Sequence, residues 1–144
     1  MTALTQDRNT PMALGDLREG AVAAAVKIFA GALVMRNAAG FLTPGATATG
    51  AIGAGRAEAQ IDNTSGDAGD VQARVRPGIY RYANSAAADQ ITAAEIGALC
   101  YVVDDQTVAK TSATATRSPA GFVDMVDDLG VWVRFDEAMT RNTA

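Results

Sequence analysis

Gly121-Phe122-Val123-Asp124-Met125-Val126-Asp127-Asp128-Leu129-Gly130-Val131-Trp132-Val133-Arg134-Phe135 reads as a β-hairpin. Gly121 to Val126 and Val131 to Phe135 are apolar runs, separated by Asp127-Asp128-Leu129-Gly130, a four-residue loop closing on glycine. Successive strand side chains point to opposite faces, so Val131, Val133 and Phe135 fall on one side and Trp132 and Arg134 on the other. Asp124, Asp127 and Asp128 flank the turn, where charge keeps a sheet edge soluble.

The same reading extends upstream. Val71, Ala73 and Val75 alternate with Gln72, Arg74 and Arg76, the pattern of a strand with one wet face, and Pro77-Gly78 bends it. Tyr80 and Tyr82 then share a face that Arg81 opposes. Leu99 to Val103 and Thr107 to Lys110 are strands joined across Asp104-Asp105-Gln106. Nearer the N-terminus, strands are expected over Ala21 to Ile28, Gly31 to Met35, Phe41 to Thr43 and Ile52 to Ile61. Gly53 and Gly55 lie inside the last of these, where glycine marks a bulge or a sharp corner. The one good helix signal is the capping box Thr92-Ala93-Ala94-Glu95, stopped by Gly97, which predicts a short helix near 92–96. Thr111-Ser112-Ala113-Thr114-Ala115-Thr116 reads as a flexible connector.

Before all this stands a polar leader, Met1 to Glu19, with neither helical nor strand period. Leu4, Met12, Leu14 and Leu17 are its sizeable apolar side chains. The expected organisation is an extended N-terminal arm over 1–19, a mainly β domain over 20–135 and a C-terminal tail over 136–144. Turn signals every 8–12 residues predict a small β-barrel or sandwich-like domain, with Val71, Val75, Tyr80, Tyr82, Val102, Val131, Val133 and Phe135 buried.

Composition narrows the function classes. A chain of 144 residues fits one domain large enough to fold without staples. It has no histidine, which removes Ser-His-Asp and Cys-His catalysis, His proton shuttles and most zinc sites. Its one cysteine, Cys100, lies in an apolar run and reads as a buried, inert thiol. A net charge of −4 with two lysines, Lys27 and Lys110, argues against nucleic acid as a partner. The longest apolar candidate, Ala21 to Met35, is interrupted by Lys27 and Gly31 and falls short of the ~20 residues of a membrane span. The start has no secretion-signal pattern, so synthesis and folding in a cytoplasm are expected.

The candidate clusters read mostly as turn chemistry. Asp62, Asp67 and Asp70 lack the spacing and closing bidentate acid of a calcium loop. Asp104 and Asp105 sit at a turn, facing apart. Gly53-x-Gly55 has Glu58 where a dinucleotide loop needs its third glycine. No metal, cofactor or catalytic set is expected, and the chain reads as no enzyme. Arg74, Arg76 and Arg81 around Pro77-Gly78 either grip an acidic partner or form an ordinary solvated strand face. Trp132 is either a lid on one end of the domain or an anchor at a subunit contact, where tryptophan is enriched.

Five stretches, taken in order, carry a family resemblance: Leu4 to Pro11, Val26 to Val34, Gly53 to Glu58, Val75 to Ser85 and Tyr101 to Val108. Together they resemble the small capsid decoration, or structural cement, proteins of tailed bacteriophages, especially Mu-like phages and prophages. The likeness covers most of residues 4–135. It implies a virion protein on the outer surface of an icosahedral head, partnered by the major capsid protein and by itself as a homotrimer, and present in the host cytoplasm during assembly. Leu4, Met12, Leu14, Leu17, Arg74, Arg76, Arg81 and Trp132 are the expected interface residues. The rival readings are a tail or baseplate component, or a module displayed on the virion that binds the host surface.

Overall fold

A computed structural model describes residues 2–144 of the chain. Twelve short strands are built as three sheets, followed by one short α-helix. The first sheet contains β1 (Arg18–Ala21), β3 (Leu33–Arg36), β4 (Leu42–Pro44), β5 (Ile52–Ala57) and β7 (Gln72–Arg76), in the spatial order β1-β7-β5-β3-β4. The second contains β8 (Ile79–Tyr82), β9 (Leu99–Val102), β10 (Val108–Ala109), β11 (Pro119–Asp127) and β12 (Gly130–Arg134), in the order β10-β9-β11-β12-β8. A ribbon of β2 (Val26–Ile28) and β6 (Ile61–Asn63) is the third. Among the described residues no sheet closes on itself. The sandwich alternative is realised and the barrel is not.

The hairpin behaves as its alternation dictates. Val123 faces Val133 and Val126 faces Val131 across β11 and β12, on the buried side. The loop is tighter than expected: Asp127 pairs with Gly130, so only Asp128 and Leu129 form the turn. Asp127 builds that turn by accepting the backbone N–H groups of Leu129 and Gly130 at 2.8 and 3.0 Å.

Two expected strands break in the middle, and their second halves pair with each other. Ala21 to Ile28 splits at Ala25, whose φ is 58°, and Ile52 to Ile61 splits after Ala57. The freed pieces are β2 and β6, with Ile28 opposite Ile61. The first sheet is therefore covered on both faces. Leu33 and Met35 of β3 join the core shared with the second sheet. Val34, between them, joins Val22, Ile28 and Leu42 on the ribbon side. The second sheet has the first sheet on one face and no sheet on the other, where α1 and the Ala93–Glu95 turn reach β11.

The inner glycines set how close the layers come. Between β3 and β5 the register slips, with Val34 opposite Gly55 and Met35 opposite Gly53, the bulge that glycine in a strand signals. A Cβ on Gly53 would stand 1.9 Å from the carbonyl oxygen of Ala120 in β11. The two sheets touch there backbone to backbone.

Six of the eight residues expected inside are buried; Val71 and Tyr80 are only partly so. Tyr80 lies at the sandwich edge, with the Arg56 guanidinium 4.4 Å from its ring centroid. The capping signal is realised around Ala93–Glu95, a single 3₁₀ turn: the Glu95 carboxylate accepts the Thr92 N–H at 2.7 Å and the Thr92 hydroxyl accepts the Ala94 N–H at 3.3 Å. The α-helix, α1 (Glu137–Thr143), lies instead in the segment expected to be a tail. Asp136 caps it by accepting the Met139 N–H at 2.9 Å. A bidentate Arg36–Glu137 pair, at 2.8 and 3.0 Å, ties it to β3, and Thr140 is buried beneath it.

The 111–117 segment is an ordered turn. Ala113, Thr114 and Ala115 take φ of 50°, 59° and 60°, three successive left-handed residues without glycine. The Ser112 carbonyl accepts the N–H groups of Thr116 and Arg117, and Arg117 reaches Asp89 at 3.2 Å. A left-handed L-residue costs roughly 1–2 kcal/mol, and glycine's extra chain entropy costs roughly 0.5–1 kcal/mol. Thr114→Gly is therefore expected to raise the melting temperature by about 1–3 °C; a fall in calorimetry would show that the turn is not strained.

Candidate interaction surface

The arm is the feature that folding leaves unexplained. Residues 2–17 contain no helix or strand, and every one of them is exposed. Leu4, Met12 and Leu14 stand 69%, 78% and 78% exposed, and Leu17 is exposed next to β1. The chain presents 8224 Å² to solvent, where a compact monomer of its mass presents roughly 7,000 Å². The arm accounts for the surplus in kind: it has surface and no core.

The arm joins the body through an ion network. Asp16 accepts from Arg76 at 2.6 Å, and the Arg76 Nε reaches Glu58 at 2.9 Å. Glu58 also takes the Arg56 guanidinium at 3.0 Å, and Arg56 stacks on Tyr80. The hydrogen bonds from Arg56 and then Arg76 hold the Glu58 carboxyl below its ordinary range. Arg18, the first residue of β1, folds back onto the carbonyls of Gly15 and Leu17 at 3.0 and 2.9 Å. Asp16, Glu58 and Arg76 were not legible as a group, because three separate segments, the arm, the end of β5 and β7, bring them together.

The three arginines read from sequence are divided between the two sheets. Pro77-Gly78 is the corner where the chain crosses between sheets, so Arg74 and Arg76 lie in the first sheet and Arg81 in the second. Arg74 is exposed, opposite Glu19 in the β1–β7 register. Arg76 is spent on Asp16 and Glu58. Arg81 stands over the Trp132 ring at 5.5 Å and 3.9 Å from Asp127. Trp132 is half-buried on the outer side of β12, and its indole N–H donates to Asp127 at 2.8 Å. That position is on the outer face of the sheet, beside the β11–β12 turn.

Several of the candidate carboxylates are engaged in turns. Asp62 accepts from the Thr64 hydroxyl and N–H, Asp70 from the Asp67 N–H, and Asp104 from the Gln106 N–H. Among the described residues no group of three or more His, Cys, Asp or Glu side chains is placed to hold a metal. A groove of about 600 Å³ runs between Asn84, Thr92 and the β11–β12 turn. Its Asn84 side chain is bound to the Ile91 backbone, and its Asp127 is filled by Trp132 and the turn.

Cys100 is fully buried, and burial pushes its thiol up to about 12. Thiol reagents at pH 8 should leave the folded protein unlabelled and label one site per chain in denaturant; rapid labelling of the folded chain would contradict this burial.

Glu95 is the most perturbed acid. Its bonds to Lys110, first, and then to Thr92 bring it from an ordinary 4.5 down to about 2. A carboxylate held lower in the folded state stabilises above its unfolded value and loses that effect as pH falls through the folded value. With no histidine in the chain, the melting temperature should be nearly level from pH 8 to 5. It should then fall between about 4.5 and about 2. Glu95→Gln should make that acid limb shallower; an unchanged limb would remove Glu95 from the account.

Comparison with protein families, with characterised proteins and with solved structures returns no match to this chain.

Proposed function

We propose that this chain is a bacteriophage capsid decoration, or cement, protein that binds the outside of the icosahedral head and stabilises contacts between capsomers of the major capsid protein. The observation that carries the reading is the arm: a run of exposed residues with large apolar side chains, joined to a folded β-sandwich by a short ion network. The resemblance of the ordered motifs to cement proteins supports the same reading. So does the use of the carboxylates as turn and pairing groups, in a chain we read as no enzyme.

The mechanism is thermodynamic. A protein that binds the assembled shell and not its separated parts stabilises assembly by mass action. A trimer would combine three modest footprints through effective concentration. The arm becomes ordered against a neighbouring subunit or the shell, and its apolar side chains are the anchors.

Electron microscopy of particles carrying this protein tests the reading. Density on the outer head surface at capsomer junctions, together with heads that release DNA at lower temperature when stripped of it, is expected. Density confined to the tail or baseplate would replace the reading with the other structural role.

A further inference from the structure

Among the described residues ten large apolar side chains are exposed, and nine fall in two groups. Leu4, Met12, Leu14 and Leu17 are on the arm. Ile79, Ile96, Met125, Leu129 and Met139 lie on or beside the outer face of the second sheet. No further sheet packs on that face, since the β2–β6 ribbon lies on the first sheet, and α1 and the Ala93–Glu95 turn are the elements that reach it at β11.

The strand registers place the second group together. Met125 lies opposite Trp132, and Trp132 opposite Arg81, all on the outer side. Phe122 and Arg134 pair one step further along, with Ile79 beside Arg134. At that end Ile96, Phe122 and Met139 line an open groove of about 300 Å³, with Asp124 and Arg134 at its rim. Ile96 and Met139 are 52% and 51% exposed there, so the groove offers apolar side chains that a partner segment can cover.

We propose that this face is the seat for the arm of a second copy of the chain, so that copies associate head to tail, arm to sheet. Three observations select this occupant. The arm carries the other unburied apolar group of the molecule. It is not seated on its own chain's face, because residues 2–17 are all exposed. It is also long enough: its sixteen residues, at ~3.3 Å each when extended, reach about 50 Å. Laid out as a strand, Met12 and Leu14 project on one side, two positions apart, as two anchors for one groove. Such a contact joins different surfaces on the two partners, so it closes only as a ring, and a trimer is the smallest ring beyond a reciprocal dimer. The inference deepens the cement reading by naming what the arm grips.

Sedimentation of the isolated protein, with no shells present, tests it. The acceptor variant lacks residues 2–14 and keeps the face. The donor variant, Ile96→Ser with Met139→Ser, keeps the arm and loses the groove. The full chain should associate, and each variant alone should associate at least about tenfold more weakly, as expected for losing one or two apolar anchors. An equimolar mixture should recover a complex of one donor and one acceptor that does not grow further. Should the donor melt much below the full chain, Ile79→Ser with Met125→Ser replaces it. A monomeric full chain at all soluble concentrations, a variant that associates as the full chain does, or a mixture that stays monomeric would each overturn the proposal. Those failures leave decoration by single copies standing. A chain that associates as described but ignores capsid shells would instead sink the cement reading alone.

Discussion

Gly53→Ala should cost the sandwich about 3 kcal/mol or more, a fall in melting temperature of roughly 10 °C. The added Cβ meets backbone, not a flexible side chain: 1.9 Å to the Ala120 carbonyl oxygen and 2.7 Å to its carbon. Relief requires β5 and β11 to move apart, which opens the core that Leu33, Met35, Val123 and Val133 share. Gly31 supplies the contrast. It has φ of +85°, but nothing lies within 4 Å of the position its Cβ would take. Gly31→Ala should therefore cost only the left-handed strain of roughly 1–2 kcal/mol. Thermal melts of the two variants read the difference. Equal losses would mean that the sheets do not approach at Gly53.

Removing residues 2–14 should have the opposite profile, little loss of stability and a large loss of binding. The cut spares Asp16, whose pair with Arg76 belongs to the body, and stops short of β1 at Arg18. The deleted residues are exposed and contribute no core, so the melting temperature should stay within about 2 °C of the full chain. Leu4, Met12 and Leu14 go with them. Fully burying each is worth roughly 1.5–3 kcal/mol, so binding that uses even two of them should weaken at least a hundredfold. A truncated chain that melts far below the full one would show that the arm is part of the fold.

What the sequence revealed follows from how local each signal is. The β11–β12 hairpin, the wet and dry sides of β7 and the Thr92–Glu95 capping box were legible because neighbours a few residues away create them. The break at Ala25 was not, because alanine is rarely asked to take φ of 58° and only the pairing of Ile28 with Ile61 explains it. Whether the strands close into a barrel depends on contacts between residues far apart, such as Gly53 with Ala120. The C-terminal helix had a signal in Asp136-Glu137, an N-cap followed by an acid, but its seven residues were too few for a period to stand out. The arm's apolar positions could be read directly, since nothing periodic surrounds them. The face on the second sheet could not. Ile79, Ile96, Met125 and Met139 come from four segments, and alternation says which side a residue faces, not whether another layer covers that side.

Decoration of shells tests the central claim most directly. Expanded, empty heads lacking this protein would be titrated with the full chain and with the chain lacking residues 2–14, and bound protein measured after sedimentation of the particles. Saturable binding of the full chain, weakened at least a hundredfold without the arm, is the predicted result. Equal decoration by both chains would contradict the arm as the clamp, and absence of binding by the full chain would contradict the cement function itself.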